Sequence, residues 1–456
     1  MGRKVFIEES AFAQYNERLQ SSSFSEVGLL VGQMSPSRDL VIGLVPTPAQ
    51  NTEQDVIKSM GVQDIDEQWV AEHAKQLANL LPGGLFIVGI FIIAPTEALK
   101  NKDAQIQQMV FGVSKTRNTK LQPSDSIYLH VCSRTKKMTC KSFDTTKGSS
   151  SSAWPADVKT QSFMDTIHYF HGEYSFDVDI SVNTLDTKRL GEHIEQQLAV
   201  IEAQIDSAVL SVDGKILPQN TETDTPESIE KYLKVSGKKV SVDHVVQCWT
   251  QFGETSQSEQ FSASSFVKIE GVATSLSLIS LKEDIGTAIK MIKADMYNSV
   301  RHRFNLLFDE LQQGSDGSPF QQAHCPTNDT LWILPKRVYI KSPWGLYLSD
   351  YMFPSETPQD CQTRVMELAR VAPAQSIEWI WNKEEFPPEK NEFYASKTKS
   401  RIIKSQHKPP SKPAQVYNSG TSQTVQKAEP QQSYSLVALV SVLILLIAVY
   451  FAAFHS

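Results

Sequence analysis

The sequence predicts a mixed α/β or α+β protein with two folded regions, a disordered tether and a single C-terminal transmembrane helix. Three observations carry this expectation. Short apolar runs alternate with stretches whose apolar residues recur every three or four positions, so strands and helices are interleaved along the chain. Near residue 394 the composition turns to Ser, Gln, Lys, Pro and Thr. Leu436 to Phe454 then reads LVALVSVLILLIAVYFAAF, without a charged residue. The expected boundaries are a first region at 1–147, a linker at 148–157, an α+β region at 158–393, a tether at 394–433 and an anchor at 434–456.

In the first region, Val5 to Glu8 reads as a strand and Ala11 to Leu19 as a short amphipathic helix. Val27 to Gly32 and Leu40 to Val45 read as two strands joined by a Ser-Pro-Ser turn. A helix starts at Asp64, with Val70, Ala74, Leu77 and Leu81 on its apolar face, and Pro82-Gly83-Gly84 stops it. Leu85 to Ile93 is almost wholly apolar, which suits a strand covered on both faces. A helix near Leu99 to Phe111 follows, then strands near Ile127 to Cys132 and Met138 to Phe143. Gly148 to Ser152 reads GSSSS, which suits a linker or exposed loop.

In the second region, a helix is expected near Leu190 to Leu210 and a set of strands from Val240 to Leu281. The longest helix runs from Glu283 to Gln313, with Ile285, Ile289, Ile292, Met296, Phe304, Leu307 and Leu311 along one core-facing stripe. Strands near Trp332 to Ile340 and Gly345 to Met352 and a helix near Thr357 to Ala369 complete it. The tether has too few apolar residues to offset its ordering entropy.

As a helix, Leu436 to Phe454 would span roughly 28 Å, close to the ~30 Å hydrocarbon core of a bilayer. Tyr434 and Tyr450 lie near its ends, where aromatic rings favour the interface. Leu436, Leu439, Leu443, Leu446, Val449 and Phe454 are the expected lipid-facing anchor residues. The front of the chain lacks the features of a secretory signal, because Glu8 and Glu9 interrupt before any long apolar run. These features predict a tail-anchored protein whose bulk faces the cytosol, and Asn328-Asp329-Thr330 is a sequon that would report the opposite topology.

Lys and Arg number 44 against 51 Asp and Glu, a net charge of −7 that argues against a nucleic-acid partner. Five scattered cysteines suit a reducing compartment better than a disulfide framework. Phosphate-binding glycine loops and a G-x-S-x-G elbow are missing from the sequence. Cys132 and Cys140 are expected as two buried thiols of a hairpin rather than a zinc knuckle. His168 and His171 with Glu173 could share a helical face, but Gly172 and the alternation from Tyr174 point to a strand instead. His73 and His130 are expected as hydrogen-bonded core or boundary residues. No catalytic residue, cofactor or metal ligand is assigned.

Gly28-Leu29-Leu30-Val31-Gly32, the Trp69 helix and Ile87-Val88-Gly89-Ile90-Phe91-Ile92-Ile93-Ala94-Pro95 resemble an MPN-type domain. In catalytic members of that superfamily, the strand equivalent to the last segment ends in two zinc-binding His. An upstream Glu and a downstream Asp assist them. That set leaves an open zinc position for activating water. Here the two His positions are Ile92 and Ala94. The upstream Glu position falls on Ser25, one place before Glu26, and Asp103 is two places short of the Asp position. The resemblance implies an MPN-like pseudoenzyme domain that has lost its metal ligands.

The whole chain more closely resembles the odorant response abnormal protein 4 family. The carriers are Met1-Gly2-Arg3, Glu8-Glu9, Gly28 to Gln33, Trp69 with Glu72-His73-Ala74 and Gln76, and Leu81-Pro82-Gly83-Gly84-Leu85. Gly89 with Phe91-Ile92, Trp154 to Asp157, Leu334-Pro335 with Arg337-Val338, and the terminal apolar span continue the match. The resemblance implies a non-enzymatic adaptor of the endoplasmic reticulum membrane. It would assist folding, maturation or trafficking of membrane proteins such as odorant-type G-protein-coupled receptors. It also implies recruitment of the ubiquitin-fold-modifier-specific cysteine protease, with a heterodimer through the first region. The competing expectation is a divergent metallo- or cysteine peptidase of a ubiquitin-like modifier pathway. Ile92 and Ala94 count against the first form, and no local Cys/His signature supports the second.

Overall fold

The computed structural model describes residues 3–380 except 17, 22–23, 36–37, 51–59, 117–120, 122–123, 183–186, 219–226, 234–242, 251–264, 314–333, 343–346 and 370–377. The tether and the anchor residues Leu436, Leu439, Leu443, Leu446, Val449 and Phe454 lie outside the described residues. Among the described residues, no helix is long and apolar enough to cross a membrane. The described residues form a mixed α/β fold with seven helices.

The first seven strands close into a barrel. They are β1 (Lys4–Ile7), β2 (Glu26–Met34), β3 (Asp39–Pro46), β4 (Phe86–Ala94), β5 (Asp125–Cys132), β6 (Met138–Asp144) and β7 (Trp154–Thr160). Their order is β1-β3-β2-β4-β5-β6-β7, and β7 closes the barrel by pairing parallel to β1, Val158 opposite Val5. The predicted linker at 148–157 is therefore corrected. Its first residues belong to a 3₁₀ turn, Thr145–Ser150, begun by Asp144 accepting from Thr146 N. Its last residues are strand, because Trp154 to Ala156 pair with Ser142 to Cys140 of β6 and Asp157 pairs with Lys4 of β1.

Strand β4 explains its unbroken apolar sequence. Val88, Phe91 and Ile93 face a core shared with Leu30, Leu129 and the short helix α1 (Glu9–Ala13). Ile87, Ile90, Ile92 and Ala94 face a second core under α2 (Glu67–Leu80) and α3 (Asp103–Ser114). The phase shift follows a register irregularity in the β2–β4 pairing at Leu30/Val31. Asp66 caps α2 by accepting from the backbone N–H of Gln68 and Trp69.

The second sheet has the order β10-β9-β11-β8-β12. Its strands are β8 (Ile167–Val182), β9 (Val209–Val212), β10 (Lys215–Ile216), β11 (Asp243–Trp249) and β12 (Ser265–Ser280). Helices α4 (Thr187–Ser207) and α6 (Ile285–Gln313) pack on it, with Phe170, Tyr174 and Phe176 against Ile201, Met296 and Phe304. The short α5 (Ile229–Leu233) lies beside α6. The strand carrying His168 starts at Ile167, seven residues earlier than the alternation from Tyr174 suggests, so His168 and His171 share no helical face. A third sheet, β14-β13-β15, comprises β13 (Lys336–Lys341), β14 (Tyr347–Met352) and β15 (Glu378–Ile380), with α7 (Pro358–Ala369) against β14 and α2.

The two regions are joined by a shared apolar core. Leu276 and Leu278 of β12, Tyr339 and Ile340 of β13, Leu348 of β14 and Val365 of α7 pack in the same cluster as Val70, Leu77 and Ile92. The described residues all fall within one unit, Met1–Ile402.

Candidate functional site

Polar and titratable side chains gather at two places: the end of β4, where the resemblance puts lost metal ligands, and the seam between barrel and second sheet. At the first, Ile92 and Ala94 are fully buried against α2 and α3. Neither side chain offers a lone pair. Ser25 Oγ accepts from the backbone N–H of Val62 at 2.8 Å, and Glu26 is buried and bridged by Arg18 at 2.5 Å. Asp103 sits exposed in the first turn of α3. Thus Ile92, Ala94, Ser25 and Asp103 make no ligand set, and among the described residues no cluster of three His, Cys, Asp or Glu is arranged to hold a metal.

The neighbouring groups are satisfied locally. His130 pairs across from Ile92 and reaches Ala94 O through Nε2 at 3.1 Å. His73 sits between Thr47 Oγ1 at 3.2 Å and Leu368 O at 2.8 Å. Cys132 ends β5 opposite Ala94, and Cys140 lies on β6 opposite Leu129; both are free thiols. Their chemistry differs. Hydrogen bonding from Thr135, then from Thr96, pulls the Cys132 thiol down to about 6, whereas burial pushes Cys140 up to about 12. Both thiols are 6% exposed, so the difference lies in the thiolate fraction: iodoacetamide should modify Cys132 slowly, with a rate that rises through pH 6 and levels off by pH 8, and Cys140 far more slowly still. Thr135→Val should move that midpoint upward; a profile unchanged by the substitution would show that the hydroxyl does not set it.

At the seam, residues distant in sequence converge. Gly83 runs beside β12, its N–H donating to Leu276 O at 2.9 Å and its carbonyl accepting from Leu278 N at 2.8 Å. Gln33 of β2 clamps the same join. Its Nε2 donates to Gly84 O at 2.9 Å and to Leu278 O, and its Oε1 accepts from Ser280 N at 3.2 Å. Behind Gly83 lies a buried ion pair. Arg337 donates through Nη1 to Asp295 Oδ2 at 2.9 Å and through Nη2 to Asp295 Oδ1 at 3.0 Å. Asp295 Oδ2 also accepts from Ser275 Oγ at 2.8 Å and Leu276 N at 3.0 Å. Arg337 Nη2 donates to Ser349 Oγ, which donates in turn to Leu80 O at the end of α2.

The sequence segments Gly28–Gln33, Leu81–Leu85 and Leu334–Val338 thus meet at one join. A family model described as odorant response abnormal 4-like matches residues 28–377. The chain belongs to this ODR4-like family. Among its relatives, the protein odr-4 homolog of Homo sapiens is 28% identical over 388 residues, covering 81% of this chain and 83% of that one. The Xenopus tropicalis homolog is 26% identical over 409 residues, covering 86% of this chain and 87% of its own. The Dictyostelium discoideum homolog is 24% identical, covering 81% and 79%. Among solved structures, the crystal structure of UfSP from C. elegans aligns with a TM-score of 0.43 at 9% identity, covering 81% of this chain and 57% of that chain.

Other residues of this ODR4-like chain tie the barrel together. Arg3 donates to Asp39 at 2.7 Å and to Asp125 at 2.6 Å, tying the start of β1 to β3 and β5. Glu8 accepts from Phe163 N at 2.8 Å and so fixes the chain just after β7. Trp69 donates through Nε1 to Pro48 O at 2.9 Å. Sequence reasoning assigned no role to Arg3, Gln33, Asp295 or Arg337. The available signal was an acid on the long helix and a basic residue in the following strand, and nothing local specifies that they pair.

Proposed function

We propose that this ODR4-like protein is a non-enzymatic, membrane-anchored adaptor on the cytosolic face of the endoplasmic reticulum. In this reading it assists folding, maturation or trafficking of membrane proteins such as odorant-type G-protein-coupled receptors. It also recruits the ubiquitin-fold-modifier-specific cysteine protease, pairing with it through the MPN-like first region, residues 1–147. The observation that carries the non-enzymatic part is the packing of Ile92 and Ala94 into the core at the positions where the resemblance puts zinc-binding His. The proposed anchor is the uncharged segment 436–454. The mechanism is tethering: a protein held at the membrane gains effective concentration toward membrane clients without new chemistry.

The test compares the full chain with a form cut before Ser433. Both should retain the protease on affinity purification, and only the full chain should bring it to membranes and restore receptor delivery in cells lacking the protein. Equal rescue by the cut form would count against tethering. Stoichiometric zinc with isopeptidase activity in the purified chain would overturn the adaptor reading in favour of a peptidase.

A further inference from the structure

Between the barrel and α6 lies a cleft of about 400 Å³, within the range of small-molecule pockets. One wall is α6, which presents Met291, Ala294, Asn298 and Arg301 at helical spacing. The facing wall is the segment from Ala78 to Ile87, and Leu121 closes one side. The half-buried Ala78, Phe86, Ala294 and Leu121 form an apolar strip in a lining that is otherwise largely polar, with Asn79, Asn298 and Arg301 exposed.

The charges in this cleft are unequal. Asp295 is the one acid in its wall among the described residues, and its oxygens are already taken by Arg337, Ser275 and Leu276 N. Arg337 is spent on the same pair. Arg301 is different: among the described residues no carboxylate pairs with it. His302 beside it packs edge-on against Tyr351. Burial, then Arg337 and Arg301, push that imidazole down to about 4 against the weaker pull of Asp295, so it is neutral near pH 7. Among the described residues the cleft therefore offers one positive charge without a carboxylate partner, amide donors beside it and an apolar strip.

From this geometry we infer that the cleft binds a small organic monocarboxylate, its carboxylate on the Arg301 guanidinium and its apolar body along Ala78, Phe86 and Ala294. A guanidinium fork matches a carboxylate with two parallel hydrogen bonds. A monocarboxylate matches the single positive charge that the described lining leaves without a carboxylate, whereas a phosphate dianion brings a second charge with no partner there. This inference goes beyond the adaptor reading and does not depend on it.

The probe is 4-phenylbutyrate, titrated into the full chain in lipid nanodiscs with its Met methyl groups carbon-13 labelled. The Met291 methyl reports on the cleft wall regardless of partition into lipid. A saturable Met291 shift is expected. It should need about tenfold more 4-phenylbutyrate in Arg301→Gln, about tenfold more of the uncharged 4-phenylbutanol, and more inorganic phosphate than 4-phenylbutyrate. Arg301 is exposed, so the variant should keep the parent melting temperature. The inference is overturned by an unmoved Met291 methyl, by equal titration of Arg301→Gln and the parent, or by phosphate binding more tightly than 4-phenylbutyrate.

Discussion

Replacing Asp295 with Ala should cost about 3–5 kcal/mol of folding stability, because it leaves the Arg337 guanidinium buried without its counter-charge. Asp295 and Arg337 are 4% and 2% exposed at their side chains, so water cannot take over the lost contacts. The substitution also strands Ser275 Oγ and Leu276 N, which donate to the same carboxylate. The size comes from leaving a charge unpaired, not from the net worth of the pair, and a second variant separates the two. Asp295→Leu combined with Arg337→Met removes both charges and fills similar volume, so most of the loss should be recovered. Urea unfolding monitored by circular dichroism measures both. A loss below about 1 kcal/mol in Asp295→Ala would show that the ion pair is wetter than the structure has it.

The elements that were legible in the sequence are those whose pattern is local. The apolar run of β4, the α2 stripe of Val70, Ala74 and Leu77, and the long α6 stripe each declare their geometry within one window. Strand β7 and the first half of β8 were not legible. Trp154–Thr160 is mostly exposed and follows a Ser-rich tract; its first half is strand through pairing with β6 and the rest through pairing with β1, about a hundred and fifty residues away in sequence. The stretch from His168 to Glu173 becomes strand because it pairs with β12 from Ile279 back to Thr274. Such pairing is written in neither partner alone.

The candidate site divides in the same way. That Ile92 and Ala94 cannot bind zinc is plain from their chemistry, and the structure adds that they fill a core. The cleft is another matter. Arg301, His302 and Asn298 lie on one face of α6, but their significance depends on Arg337 having consumed Asp295 and on the Ala78–Ile87 segment standing opposite. A side chain's charge is readable from sequence; whether that charge is already matched is not.

The seam makes a second large effect testable. Gly84 has φ +77°, and a Cβ there would stand 2.2 Å from Leu278 O and 3.2 Å from Gln33 Nε2. Gly84→Val therefore combines left-handed backbone strain of about 1–3 kcal/mol with a clash into the backbone of β12. The clash falls where Gly83 and Gln33 bond the barrel to that strand, so the join itself should give way. We expect a loss of at least about 3 kcal/mol and, more tellingly, a change in cooperativity. In the parent, the amides of β2 and β4 should exchange together with those of β8 and β12, because one apolar core runs under both. In the variant, β8 and β12 should open at lower denaturant than the barrel. Hydrogen exchange followed by mass spectrometry resolves the two regions, and a single shared transition at the parent midpoint would mean the barrel and second sheet are held together by the α2–α7 packing instead. If they separate, the Leu81–Leu85 segment is a structural hinge-pin of the fold, holding the barrel against β12 through Gly83 and Gly84.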